Sequence, residues 1–289
     1  MATIIGCPRK IVICGKTVKI MEVNFLAVHK KLREKRLAQK MIEEMMRRKR
    51  LHGFPQAYYT SGHTMPTPFA TSLYLNRFIN CKKLVEIKYT NKPHDMPMKN
   101  FEKRYRLPDK QGTGLVGVIR PMLKKDLTAV LKLYHAQMAK TQIYYKMSQE
   151  EIAHFLLPKD DVVWTYVVEG EVDGKSAVTD FFSMYRLSQT CTSKAELGHN
   201  YDDMHSGCMF YYGLSANSLK SLMKEALWKA KEELSCDAFT VMTIMENKRE
   251  MFLEDLGFLP GDGALHWYFV NWSLGDKKIE SHDIGTILI

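Results

Sequence analysis

The segment that most constrains the fold is residues 18–45, where a strand pattern leads through a basic stretch into a helix pattern. Apolar and polar residues largely alternate over residues 18–25, as in a strand with one buried face. The alternation is lost in the continuous apolar run of residues 25–28, and a β-bulge near Phe25 or Leu26 is the simplest cause. From Leu37 onward apolar residues recur every four positions, which predicts a helix.

The basic stretch lies between this strand and this helix, at residues 30–36, where five of seven residues are Lys or Arg. Such a turn directs backbone N–H groups toward the helix start, where the helix dipole also favours an anion. Arg33, Lys35 and Arg36 are therefore candidates to hold a polyphosphate. The alternative is a solvated basic face on an ordinary strand–helix connection, and this pattern by itself leaves both open.

The net charge of +10 is concentrated in one place, because residues 30–50 contain ten Lys or Arg and only three Glu. A charge block of this kind suits nucleic acid, an anionic membrane surface or a phosphorylated ligand. Charge does not choose among these partners. The cations at residues 47–50 also have a simpler explanation, since positive charge is favoured at the C-terminus of a helix.

The remaining composition indicates a cytoplasmic globular protein. A chain of 289 residues with 45% hydrophobic content can bury a full core. Its start lacks the features of a secretory signal, and no apolar run approaches membrane-spanning length. The six cysteines and ten histidines show no metal-ligand spacing, so we expect reduced thiols and no bound metal.

Longer motifs resemble those of the N-myristoyltransferase family, which transfers a myristoyl group from its CoA thioester to an N-terminal glycine. The central signature is Asn-Phe-Leu-Ala-Val-His-Lys-Lys-Leu-Arg-Glu-Lys-Arg-Leu-Ala at residues 24–38. Further matching motifs follow in family order, at residues 56–62, 105–108, 120–122, 147–151, 178–181, 245–248, 261–263 and 271–272.

The resemblance implies an α/β (α+β) fold of two tandem acyl-CoA N-acyltransferase halves, similar to GNAT acetyltransferases, around a central mixed sheet. Residues 1–114 would be the rear part of the first half, on the CoA side, and this half would be incomplete. Residues 115–289 would be a complete second half, on the peptide side. The local pattern also predicts a helical turn at residues 73–79, a strand at 84–89 and an irregular linker at 90–114.

The resemblance assigns the acyl-donor site to the central signature. The backbone N–H groups of Phe25 and Leu26 would form the oxyanion hole. The implied CoA-binding residues are Phe25, Leu26, Ala27, Val28, Arg33, Lys35, Arg36, Leu37 and Ala38. Glu34 departs from the family, which usually has serine there, and a carboxylate beside phosphates is repulsive.

The resemblance assigns the peptide site to later parts of the chain. The implied substrate-binding residues are Thr60, Gly62, Tyr74, Ser183, Tyr211, Asp262 and Leu265. The acceptor ammonium must lose a proton before it attacks the thioester, and the family uses its terminal carboxylate as the base. Here that group would be the α-carboxylate of Ile289.

The leading functional hypothesis is therefore a myristoyl-CoA:protein N-myristoyltransferase, with myristoyl-CoA as acyl donor, no metal, and N-terminal-glycine peptides and proteins as partners. We expect a monomer without a transmembrane segment or nucleic-acid partner, and peripheral association with a membrane or the ribosome stays open. A second hypothesis is a shortened, catalytically weak or inactive member that acts as a peptide-binding module. A third is a basic nucleic-acid-binding protein.

Overall fold

A computed structural model describes residues 1–107, 114–192 and 194–287 of the chain. The strands, numbered in chain order, are β1 (Ala2–Ile13), β2 (Lys16–Val28), β3 (Ala57–Ser61), β4 (Ala70–Phe78), β5 (Val118–Pro121), β6 (Ile143–Tyr145), β7 (Val163–Val172), β8 (Lys175–Thr190), β9 (Asp203–Gly213), β10 (Ala238–Met242), β11 (Leu259–Val270) and β12 (Ile284–Gly285). The α-helices are α1 (Leu37–Leu51), α2 (Cys81–Glu86), α3 (Met98–Arg104), α4 (Leu127–Met138), α5 (Gln149–Leu156), α6 (Lys194–Leu197) and α7 (Leu219–Glu232).

The chain forms two compact units, each assembled from separate segments. The first unit contains Met1–Leu73, Met138–Lys146 and Gly263–Ile289, of which the last two residues lie outside the described ranges. The second unit contains Tyr74–Gln137 and Met147–Asp262.

The first unit is built on the predicted hairpin of β1 and β2, which pair in antiparallel fashion along almost their whole length. Its strands follow the order β12, β6, β1, β2, β3 and β11. Helix α1 covers the hairpin, and Gly6 allows it to approach, because a Cβ at that position would lie 2.8 Å from the sulfur of Met45. The strand, basic turn and helix predicted for residues 18–45 are thus confirmed.

The core of the first unit is aromatic. The fully buried ring of Tyr58 stacks on Trp267 with ring centroids 5.8 Å apart and meets Phe69, Phe269 and Tyr145 at 5.2–6.4 Å. Aromatic pairs at these separations add to the stabilisation from burial. This cluster joins β3, β6 and β11, which come from distant parts of the chain.

The second unit contains strands in the order β4, β10, β9, β8, β7 and β5. Strand β10 pairs in parallel with β9 and in antiparallel fashion with β4, so the pairing is mixed. Two of its helices begin with side-chain caps, since Ser148 accepts from the backbone N–H of Glu151 and Ser218 from that of Ser221. Helices together with parallel and antiparallel strands confirm the predicted α/β class, whereas the division into halves at residue 114 stays a prediction.

Three local predictions were wrong. Residues 84–89 form no strand, because Asn80 caps α2 and Leu84 is buried in a cluster with Phe78, Phe101 and Tyr105. Residues 73–79 are not a helical turn, since β4 pairs with β10 over five residues. The predicted linker at 90–114 contains helix α3. In each case contacts with distant residues override the local pattern.

Candidate functional site

A β-bulge lies at Phe25 and Leu26, as the sequence predicts. Thr3 pairs with Ala27 and Ile5 with Asn24, so two residues of β2 face one residue of β1. Phe25 has a left-handed backbone with a φ of 54°, and its side chain is 59% exposed. A bulge takes backbone groups out of the ladder and turns them in new directions. The N–H groups of these two residues are therefore candidates to bind a ligand.

Strand β2 also leaves its parallel neighbour just before the bulge. It pairs with β3 only at Met21 and Glu22, opposite Ala57 and Tyr58. Beyond Glu22 the described residues show no further pairing between these two strands. Diverging parallel strands leave a strand edge to which an extended chain with amide groups can bind.

A buried ion pair fixes the backbone ahead of the bulge. Glu22 is fully buried, and its carboxylate accepts from Arg9 Nε at 2.9 Å and from Asn24 Nδ2 at 2.5 Å. Asn24 directly precedes Phe25. The contact with Arg9 is not predicted by the sequence, where its one signal is a carboxylate between the apolar residues Met21 and Val23.

The basic turn follows the bulge directly. A 3₁₀ turn at Lys30–Leu32 leads into Glu34 and Arg36, both of which have left-handed backbones, with φ of 66° and 54°. Helix α1 then starts without a side-chain cap and without an acidic residue in its first turn. The N–H groups at its start therefore lack the usual side-chain acceptor.

The predicted phosphate-binding side chains Arg33, Lys35 and Arg36 are exposed on this turn. Arg33 makes one long hydrogen bond, from Nε to the carbonyl of Val28 at 3.4 Å. Glu34 is exposed as well, and no ion pair neutralises it among the residues that the structure describes. The turn thus combines five cations and a helix N-terminus with one carboxylate, Glu34.

Three predicted substrate residues lie together on β3 and β11 of the first unit. Thr60 pairs with Trp267, and Gly62 and Leu265 follow directly after the pair of Ser61 and His266. Gly62 is exposed, and a Cβ at this position would meet no atom within 4 Å.

Four further predicted substrate residues lie in the second unit, two of them deep inside it. Ser183 and Tyr211 lie at an irregularity between β8 and β9 and are both fully buried. The Ser183 hydroxyl is hydrogen-bonded to that of Thr165 at 2.7 Å, and the Tyr211 ring packs edge-on against Tyr134. Long-range strand pairing brings these two predicted residues together.

Tyr74 and Asp262 are neighbours of Gly261. A Cβ at Gly261 would lie 2.9 Å from Asn76 Nδ2 and 3.0 Å from the carbonyl oxygen of Tyr74, so only glycine fits there without displacement. Burial, with a smaller contribution from Cys208, raises the pKa of Tyr74. Asp262 is exposed, and its charge contributes, after burial and Cys208, to the raised pKa of Tyr89.

The C-terminal segment is buried within the first unit. Strand β12 pairs in parallel with β6, and Thr286 and Ile287 behind it are buried. Ile289, the predicted base, lies outside the described residues.

Comparison with known proteins identifies the family. Residues 1–72 match the model of the N-terminal domain of myristoyl-CoA:protein N-myristoyltransferase, and residues 86–287 match that of its C-terminal domain. The chain belongs to the N-myristoyltransferase family. The resemblance noted in the sequence is thereby confirmed.

Individual relatives agree with this family assignment. The chain is 35% identical over 289 residues to glycylpeptide N-tetradecanoyltransferase 1 of Arabidopsis thaliana, covering 100% of the chain and 64% of the relative. It is 38% identical over 281 residues to glycylpeptide N-tetradecanoyltransferase 2 of Bos taurus, covering 97% and 53%. The crystal structure of Saccharomyces cerevisiae N-myristoyltransferase with bound myristoyl-CoA superposes with a TM-score of 0.88 at 29% identity, covering 100% and 70%. The chain thus spans less than two thirds of the length of the two relatives from Arabidopsis thaliana and Bos taurus.

The described ranges contain neither a metal-binding cluster nor a membrane-spanning helix. No group of three or more His, Cys, Asp or Glu side chains is arranged there to hold a metal ion. None of the helices there has the length and hydropathy needed to span a bilayer.

Proposed function

We propose that this chain transfers a myristoyl group from myristoyl-CoA to the N-terminal glycine of peptides and proteins. The observation that carries the proposal is the junction of β2 and α1, where a β-bulge, a cationic turn and an uncapped helix start follow one another within residues 24–38. A thioester of a polyphosphorylated carrier needs these three features together. Family membership supports the same assignment.

In this proposal the bulge stabilises the reacting carbonyl. Attack on the thioester produces a tetrahedral oxyanion, and the N–H groups of Phe25 and Leu26 donate to it. Backbone donors held in place before the reaction can lower such a barrier by several kcal/mol, about 3–4 per donor. The buried bonds from Arg9 and Asn24 to Glu22 hold the preceding backbone and so support this geometry.

The carrier phosphates bind the basic turn. Arg33, Lys35 and Arg36 supply charge, and the start of α1 at Leu37 and Ala38 supplies N–H donors. Ala27 and Val28 continue the strand along which the carrier's amide chain runs. Glu34 opposes the phosphates and weakens this binding relative to a neutral residue.

The terminal carboxylate of Ile289 acts as the base. It takes a proton from the glycine ammonium, the amine attacks the thioester carbon, and a C–N bond forms. The C–S bond then breaks, and the leaving CoA thiolate takes the second proton that the nitrogen loses on becoming an amide. The hydrogen bond between the hydroxyl groups of Thr286 and Tyr58 and the burial of Ile287 support a fixed path for this tail. Thr60, Gly62 and Leu265 form one contact surface for the peptide, and Tyr74 and Asp262 form another. Ser183 and Tyr211, which are fully buried, stay predicted peptide-binding residues.

The proposal is tested by adding one glycine after Ile289. We expect acyl transfer to a peptide with N-terminal glycine to fall by at least about 100-fold, because the base is displaced. Calorimetry should show that a non-hydrolysable myristoyl-CoA analogue binds the extended protein about as well as the unmodified protein. Ile289→Gln is the matched control and should retain transfer, since it preserves the carboxylate. An extended protein that transfers at the original rate would rule out this base.

A second candidate function is a peptide-binding module without acyl transfer. The exposed, unneutralised Glu34 in the phosphate-binding turn favours it, because this carboxylate repels phosphate. Calorimetry with the CoA analogue and with the peptide separates the two functions. Peptide binding without analogue binding would establish the module.

The proposal also covers the cellular location and the oligomeric state of the protein. We propose that it is a cytoplasmic monomer that acts on glycine-starting chains, and peripheral association with a membrane or the ribosome stays open. Sedimentation of the purified protein and fractionation of cells test these two points.

A further inference from the structure

A buried arginine without a carboxylate partner among the described residues lines a cavity in the second unit. Arg77, on β4, is only 5% exposed. Its Nε donates to the carbonyl of Leu256 at 2.9 Å and its Nη1 to that of Phe78 at 3.1 Å, and its guanidinium lies over the Tyr105 ring. A guanidinium has more N–H donors than these carbonyls use.

The charge of Arg77 is not neutralised within the protein. Among the residues that the structure describes, no carboxylate lies within ion-pair distance of it. Burial lowers the pKa of Arg77, and the opposing contributions come from Cys81 and Tyr105 rather than from an acid. A guanidinium nevertheless stays protonated at neutral pH, so a buried positive charge remains that an anion would stabilise.

The guanidinium faces a cavity of about 570 Å³ within the second unit. Gly257 leaves one edge of the Arg77 guanidinium uncovered. A Cβ at position 257 would lie 3.5 Å from Arg77 Nε and 3.7 Å from Nη2 and would cover this edge. The cavity is lined by Arg77, Arg106, Leu107, Lys224, Leu227, Glu254, Asp255, Leu256 and Gly257.

The other charged residues of the cavity leave an excess of positive charge. Lys224 is half-buried on α7 and has no side-chain partner within the described part of the chain. Asp255 is paired with Lys220 at 2.9 Å, and Lys220 does not line the cavity. Glu254 is exposed, and Arg106, which is also exposed, adds a further cation to the lining.

We propose that this cavity binds the phosphate group of a small-molecule ligand, with Arg77 as its buried donor and Lys224 as a second cation. The apolar side chains of Leu107 and Leu227 contact the uncharged part of the ligand. The site is separate from the basic turn of residues 30–36, and it does not depend on the acyl transfer proposed above.

Inorganic phosphate is the probe, and its binding is followed by the line width of its ³¹P resonance during titration with the whole chain. We expect Arg77→Met to weaken binding by at least about tenfold, since a charge-assisted bond from a buried group is lost. Lys224→Met should weaken it by about threefold, as expected for a partly exposed cation. Glu254→Gln should tighten it.

Lys132→Met is the matched control, because it removes the same charge from an exposed position on α4 that does not line the cavity. The triple change of Arg33, Lys35 and Arg36 to Ala is the second control, and phosphate binding at the cavity should survive it. If Arg77→Met does not fold, the test is whether Lys224→Met weakens phosphate binding more than Lys132→Met does. No saturable binding, equal effects of those two changes, or loss of binding in the triple variant would each overturn the proposal.

Discussion

The hydroxyl groups of Tyr58 and Thr286 lie 2.5 Å apart in the buried interior of the first unit, although 228 residues separate them in the chain. Tyr58 is on β3, directly opposite Glu22 of β2, and Thr286 belongs to the C-terminal segment. One hydrogen bond therefore connects the end of the described chain to β3, the neighbour of the strand that carries the bulge.

Tyr58→Phe should destabilise the first unit by about 1–2 kcal/mol, because it leaves the buried Thr286 hydroxyl without this partner. If the tail supplies the base, transfer should fall more than binding of the CoA analogue. Urea unfolding and a transfer assay measure the two effects. Tyr59→Phe is the control, since Tyr59 stacks on Tyr268 and lies partly exposed. Equal losses in both variants would refute a special role for the Tyr58 hydroxyl.

Replacing Arg33, Lys35 and Arg36 with Ala should weaken binding of a myristoyl-CoA analogue by at least about 100-fold, because three charge-assisted contacts are lost. Glu34→Ser should strengthen it by removing repulsion. The matched control changes Lys40, Arg47 and Arg48 to Ala, which removes the same charge farther along α1, where Glu43 and Glu44 already pair with these residues. Calorimetry measures these affinities. If both triple variants bind the analogue with equal affinity, the turn is a solvated basic face and does not bind the phosphates.

Gly261→Ala and Gly62→Ala form a second matched pair. The first should cost about 1–3 kcal/mol, because the new methyl group collides with Asn76 and the Tyr74 backbone. The second should leave the melting temperature unchanged, since the space around Gly62 is open. It should nevertheless reduce transfer if the acceptor peptide passes over Gly62. Stable Gly62→Ala protein with full activity would remove Gly62 from the peptide site.

Asp180 should make the second unit sensitive to acid. Burial raises the pKa of this carboxyl, but bonds from the Asn217 side chain and the N–H groups of Ser215 and Asn217 outweigh burial, so its pKa is lowered. Its stabilisation is then complete above the unfolded value of about 3.9 and is lost as the pH falls through the lower, folded value.

Asp180→Asn should therefore cost about 1.5–3 kcal/mol at pH 7, because the amide turns a donor toward Asn217 Nδ2 or loses the backbone bonds. The difference from the unchanged protein should shrink as the pH falls from 5 toward about 3. Asp173→Asn, in the exposed turn between β7 and β8, is the control and should be neutral. If the difference in unfolding free energy between Asp180→Asn and the unchanged protein stays constant with pH, the ionised carboxylate of Asp180 does not stabilise the fold.

The parts of the molecule that the sequence predicted well are those set by local pattern. The bulge at Phe25 follows from a break in alternation, and helix α1 follows from a four-residue repeat. Helix α2 was missed because its register is set by burial of Leu84 against Phe78 and Phe101. The proximity of Ser183 and Tyr211 and the ion pair of Arg9 with Glu22 depend on strand pairing across many residues, which no local pattern contains.

The arrangement of the first unit has a consequence for synthesis. The β1–β2 hairpin leaves the ribosome before the other strands of its unit, of which β6, β11 and β12 come from residues 143–145, 259–270 and 284–285. At about 5–20 residues per second, the hairpin waits roughly 10–50 s for the last of them. The second unit, whose segments end at Asp262, is complete before the first. A nascent chain therefore carries an open hairpin, with Phe25 and Leu26 on it, and this interval is when chaperone binding should be strongest.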